Sequence, residues 1–148
     1  MVLFLFAAYR SLGGAQPKAT DSAVLLKSLH GQLRASLACL AAELDKRVQQ
    51  GRPSDKAGDG RKVSATVQHT LDRLPQPTLL DNRDSSVRTL LAAAAEDTAW
   101  AWRMLEAPVF SPAVAAAAAV LADHAAECCD QAGPLLTAPA LPEPGDGP

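Results

Sequence analysis

The residues able to do chemistry are few, and several of them gather late in the chain. His124 and Cys128 are four positions apart, with Asp123, Glu127 and Cys129 close by. Residues four apart share one face of a helix, so an imidazole and a thiol would stand together there. A zinc site needs three or four such ligands converging on one point. Stepping the residues at 100° does not bring the others in. Cys128 falls in an apolar stripe, with His124 and Cys129 on opposite flanks of it. His30 lies at the edge of a distant leucine stripe, while His69 and Cys39 point away from theirs. The ordinary reading makes Cys128 a small core residue and His124 a boundary residue, with no cofactor. A metal or cofactor held by His124, Cys128 and His30 is the alternative.

A nucleophilic cysteine needs a lowered pKa and a nearby base. Cys128 and Cys129 sit toward the C-terminal end of their predicted helix, where the dipole disfavours a thiolate, and Asp123, Glu127 and Asp130 oppose it further. Glu96 and Asp97 are adjacent, so they diverge on a helix and suit a solvated face better than a shared acid–base site. The chain contains no Glu-x-x-His, no His-Glu-x-x-His, no Gly-x-x-x-x-Gly-Lys and no Gly-x-Ser-x-Gly, which removes the di-iron, zinc-hydrolase, phosphate-loop and serine-elbow classes. No catalytic residue is assigned, and the chain reads as a non-enzyme.

These residues belong to a chain of 148 residues, 48% apolar, 20% charged and only 4% aromatic, with a formal net charge of −2. The length suits one domain. The charge excludes a strongly basic nucleic-acid binder. A local excess of basic residues between Asp45 and Lys62 falls in a segment with no aromatic to stack on a base. No uninterrupted apolar stretch reaches the roughly 18 residues of a membrane span, and none is expected. Alanine is abundant, isoleucine is absent and arginine outnumbers lysine. A GC-rich coding sequence would yield the same bias, so the placement of alanine carries more weight than its number.

Helical periodicity runs through four segments. Asp21 or Ser22 caps the first, in which Leu26, Leu29, Leu33, Leu37, Leu40, Leu44 and Val48 recur every three or four residues until Gly51 and Pro53. The repeat of eleven at positions 26, 37 and 48 predicts a nearly straight seam. After a polar loop over 51–61, a second helix spans about 62–74 with Val63, Val67, Leu71 and Leu74 on one side. Pro75 and Pro77 stop it, and Leu79 and Leu80 return to the core. Asp84 or Ser85 caps a third helix over roughly 85–106. The fourth starts with Ser111 as N-cap and Pro112 at its first position, and ends with Gly133 as C-cap and Pro134 beyond. Its stripe of Val114, Ala117, Ala118, Leu121, Ala125, Cys128 and Ala132 permits close approach of a neighbour.

The fold class expected is all-α, an antiparallel four-helix bundle over 21–134. Residues 1–20 form an apolar N-terminal segment, read as a short fifth helix or, less favoured, as a signal peptide over 1–15. Residues 135–148, rich in proline, read as a disordered tail. Three cysteines give no disulfide framework, which favours a cytoplasmic setting, with secretion the alternative if 1–15 is a signal peptide.

The third helix carries two apolar stripes. Val87, Leu91, Ala94, Thr98, Trp102 and Leu105 form the expected core side, and Ala93, Trp100 and Met104 lie roughly opposite. Trp100 and Trp102 are two apart and cannot face one core. Either this helix is sandwiched between others, which the usual burial of large aromatics favours, or Trp100 and Met104 are available to a partner, as tryptophan often is at binding hot spots. The function expected is a non-catalytic interaction or adaptor subunit that contacts a protein partner or itself through the long leucine stripe of the first helix and through Trp100, Met104 and Ala93.

Overall fold

A computed structural model describes residues 19–74 and 82–137, and among them the only regular elements are four helices. They are α1 (Ala19–Gln50), α2 (Ala57–Arg73), α3 (Asn82–Glu106) and α4 (Pro112–Thr137). The apolar N-terminal run, Leu79, Leu80 and residues 138–148 of the proline-rich tail lie outside the described residues, whereas residues 135–137, expected as the start of that disordered tail, are helical.

Cross-helix contacts fix the directions. His30 meets Cys129 late in α4, whereas Arg47 and Val48 share a cleft with Pro112 and Ala115 at its start, so α1 and α4 are antiparallel. Ser36 lies against Trp102 and Arg47 against Ala107, so α1 and α3 run parallel. Gly60 sits against Trp102, and the Arg88 guanidinium donates to the carbonyls of Leu71 and Leu74, so α2 runs antiparallel to α3. The result is the up-and-down four-helix bundle that the periodicity predicts. α1 and α3 each touch all three other helices, and α2 and α4 flank them.

The core follows the stripes. Leu26, Leu29, Leu33 and Leu40 are fully buried, each worth about 1.5–3 kcal/mol relative to exposure. In α3, every member of the predicted core stripe is buried: Val87, Leu91, Ala94, Thr98, Trp102 and Leu105. Ala118, Ala125, Cys128 and Ala132 bury the small-residue stripe of α4.

Five boundary or burial expectations change. α1 begins at Ala19, ahead of Asp21 and Ser22, so neither caps it. α3 likewise begins at Asn82, placing Asp84 in its first turn rather than outside it. α2 starts at Ala57, inside the stretch read as loop. Gly58 and Gly60 disfavour a helix there, but Ala57 is fully buried and Gly60 packs on Trp102, and that tertiary packing outweighs propensity. α4 passes through Gly133 and Pro134 to Thr137. Pro134 lacks the N–H that Asp130 would accept, but Leu135 and Leu136 pack against the core and hold the extra turn. Val48 is 61% exposed, and Glu43 and Arg47 are buried in its stead.

That last exchange closes one end of the bundle. Arg47 is almost fully buried and donates to the carbonyls of Gly51, at 2.5 Å, and Ala107, at 2.6 Å. These oxygens lie just beyond the C-terminal ends of α1 and α3, where partial negative charge favours a cation. The guanidinium also stacks on Phe110 at 4.8 Å. Burial acts to raise the Glu43 pKa. Hydrogen bonds from Ser54 and Lys46, and the charges of Lys46 and Lys56, outweigh it and hold the carboxyl below its ordinary range.

At the start of α4, the Ser111 hydroxyl accepts the N–H of Val114 at 3.2 Å, the N-cap the sequence predicts. By length and composition alone, α4 is apolar enough to cross a bilayer, with a mean hydropathy of 1.2 over its best window. The expectation that no segment qualifies rested on an uninterrupted apolar run. A window that admits Asp123 and Glu127 passes, and its alanines supply the hydropathy.

Candidate functional site

The outer side of the α3–α4 hairpin gathers most of the residues singled out from the sequence. Asp97 Oδ2 on α3 pairs with His124 Nδ1 on α4. One turn further along α4, Cys128 Sγ lies 3.9 Å from His124 Nε2. The imidazole thus stands between a carboxylate and a thiol, with a different nitrogen toward each. That arrangement suits an orienting chain. It does not suit a metal site, where the donors would converge on one point.

His30 is elsewhere: its Nε2 donates to the Cys129 carbonyl at 2.9 Å. The set His124, Cys128 and His30 is therefore not brought together. Among the described residues, no group of three or more His, Cys, Asp or Glu side chains is placed to hold a metal ion.

Neither Cys128 nor Cys129 sits where a thiolate is favoured. Burial raises the Cys128 pKa, and the charges of Asp97 and Glu127 raise it further. Burial pushes Cys129 up to about 11, against the lowering influence of Arg34. Cys129, on the flank of the apolar stripe, is fully buried, because α1 covers that side of α4 through His30 and Arg34.

The hydrogen bond with Asp97 and that carboxylate's charge raise the His124 pKa, with Glu127 adding to the effect. The pair is therefore complete below the unfolded pKa of about 6.5, and its contribution falls away as pH rises through the higher folded value. Both partners reach solvent, so salt screens the attraction. An NMR titration of the His124 ring protons should give a midpoint above the ordinary histidine value, and Asp97→Asn should bring it back down. An unshifted midpoint in the parent chain would remove the pair.

From this pair the hairpin register can be counted. Three residues beyond Asp97 is Trp100 and three before His124 is Leu121, so in an antiparallel pair they stand level. Met104 stands level with Ala117 by the same count. Trp100 is 49% exposed although α3 touches three helices. Sandwiching α3 therefore does not bury Trp100, as the sequence reading favoured, because α1, α2 and α4 leave the Trp100 side open. Met104 and Ala93 are half-buried beside it, and Val120, on the facing helix, is 66% exposed. The Arg103 guanidinium stacks on the Trp100 ring at 5.0 Å. Glu96 and Arg103, one turn to either side of Trp100, are both exposed.

Comparison with known proteins finds no matching family model, no similar curated protein and no similar solved structure. The geometry alone defines the class, an all-α four-helix bundle.

Proposed function

We propose that this chain is a non-catalytic helical interaction subunit, an adaptor in the broad sense, that docks through the Trp100 face of α3. The observation that carries this reading is a tryptophan that stands half in water on the open side of α3, with Met104 and Ala93 half-buried along the same side. Leaving an indole exposed forfeits burial worth a few kcal/mol, and aromatic residues ringed by polar ones are typical anchors of protein interfaces.

The occupant proposed is a second copy of the chain. An α3 helix laid antiparallel across another, centred between Ala99 and Trp100, sets Glu96 of each copy level with Arg103 of the other. That self-complementarity is what a two-fold interface requires. One helix face is a small patch, so the dimer is expected to be transient, with a Kd in the range of about 1–100 µM. Three free cysteines suit a reducing, cytoplasmic setting.

Dilution tests the reading through the indole itself. The emission of the full chain should move to longer wavelength as the protein is diluted through the Kd, and Trp100→Ala should abolish that movement. A spectrum independent of concentration up to 1 mM ~ tenfold above the weakest expected Kd ~ would refute the second copy as partner.

A further inference from the structure

A cleft of about 410 Å³ runs along the junction of α1 and α2, with the buried Trp102 indole behind it. Its sides are apolar but stand in water: Ala35 is exposed, and Cys39 and Val63 are half-buried. Lys56 and Asp59 also line it, and both are exposed, so their charges stay in solvent whatever fills the cleft. A groove of this size and lining suits an apolar occupant.

The sequence carries a segment of matching chemistry and length. Val2-Leu3-Phe4-Leu5-Phe6-Ala7-Ala8-Tyr9 is an uninterrupted apolar run that holds three of the six aromatic residues of the chain. As a two-turn helix it would be about 12 Å long, and the cleft follows α1 from Gln32 to Cys39, about 10 Å. Residues 10–18 join the run to Ala19, where α1 begins. Extended, those residues reach about 30 Å, whereas Ala19 lies about 20 Å from Gln32 along α1. Gly13 and Gly14 fall in this stretch and supply the turn the chain needs to double back along α1.

We infer that residues 2–9 dock as a short helix in the α1–α2 cleft of their own chain and cover Ala35, Cys39 and Val63. Docking takes the run and the cleft wall out of water together, and that shared burial drives it. The short tether holds the run beside the cleft at an effective concentration in the millimolar range, so at micromolar protein the run of the same chain outcompetes that of another copy. The site is independent of the Trp100 face, since Trp100 and Trp102 point to different sides of α3.

Cys39 reports on the cover. In the full chain at micromolar concentration its reaction with an aromatic disulfide reagent, assigned by its loss in Cys39→Ser, should be slow. The double substitution Phe4→Asp, Phe6→Asp should speed that reaction by about tenfold or more, as an opened segment does. Cys128 and Cys129, buried in the bundle, should stay unreactive, which separates an uncovered cleft from an unfolded chain. Nuclear Overhauser contacts between the Phe4 or Phe6 ring and the Val63 methyls in the parent chain give a second measurement, and they decide the matter if the double variant does not fold. Mixing labelled with unlabelled chains should show those contacts to be within one copy. Equal Cys39 rates in the parent and a folded double variant, no contact between the run and Val63, or contacts only between copies would each overturn the inference.

Discussion

Trp102→Ala should lower the free energy of unfolding by about 3–5 kcal/mol, the range found when a fully buried aromatic is truncated. Trp102 is the largest of the fully buried side chains, 1% exposed, and lies where α1, α2 and α3 meet. Its loss removes the apolar contact of the ring and leaves a void beside an already open cleft. It also frees Ser36 of its indole partner. Urea titration followed by far-ultraviolet circular dichroism reads the change as a lower midpoint at a similar slope. The neighbouring tryptophan supplies the internal control. Trp100 is half-exposed and gains chiefly the stacking of Arg103, so Trp100→Ala in dilute solution should cost no more than about 1 kcal/mol. Equal losses from the two substitutions would contradict the packing described for α3.

Gly60→Ala carries the second large effect, and its sign depends on Trp102. In an ordinary helix the change stabilises by about 1 kcal/mol, because alanine loses less backbone freedom than glycine. Here the added Cβ would stand 2.1 Å from Trp102 Cε2 and 2.4 Å from Cδ2 and Nε1. These are inner atoms of a rigid, buried ring, and they can yield only if α2 lifts or the indole tilts. Overpacking of this kind costs about 1–3 kcal/mol or more. The substitution should therefore destabilise the parent chain and stabilise the Trp102→Ala chain. The difference, a coupling of about 2–4 kcal/mol, follows from adding the two terms and is measurable in a double-mutant cycle. Coupling near zero would mean that Gly60 does not face the indole.

The same contact explains where the sequence could be read and where it could not. The core stripe of α3 is legible residue by residue, because six apolar or small residues recur at helical spacing and all six are buried. The start of α2 is not legible. Ala57-Gly58-Asp59-Gly60 has loop composition, and only the presence of an indole 42 positions away explains why glycine serves inside that helix. Pro134 misleads for a like reason, since Leu135 and Leu136 find the core only once α4 is docked.

The candidate surface divides in the same way. The Ala93–Trp100–Met104 stripe follows from arithmetic within one helix. What α4 sets beside it follows only from the register of two helices, and the Asp97–His124 pair that sets this register joins residues 27 apart. Ser36 occupies the flank of the leucine stripe of α1, where polar residues ordinarily meet water. Burial beside Trp102 makes it the acceptor of the indole N–H instead, and a periodicity computed on α1 alone carries no sign of it.

Sedimentation equilibrium of the full chain, from about 1 µM to 1 mM so as to bracket the expected Kd range, tests the central claim most directly when run beside Trp100→Ala. The predicted result is a reversible monomer–dimer equilibrium in the parent chain, weakened at least tenfold by the substitution. A parent chain that stays monomeric throughout, or a dimer that Trp100→Ala leaves unchanged, would contradict the account.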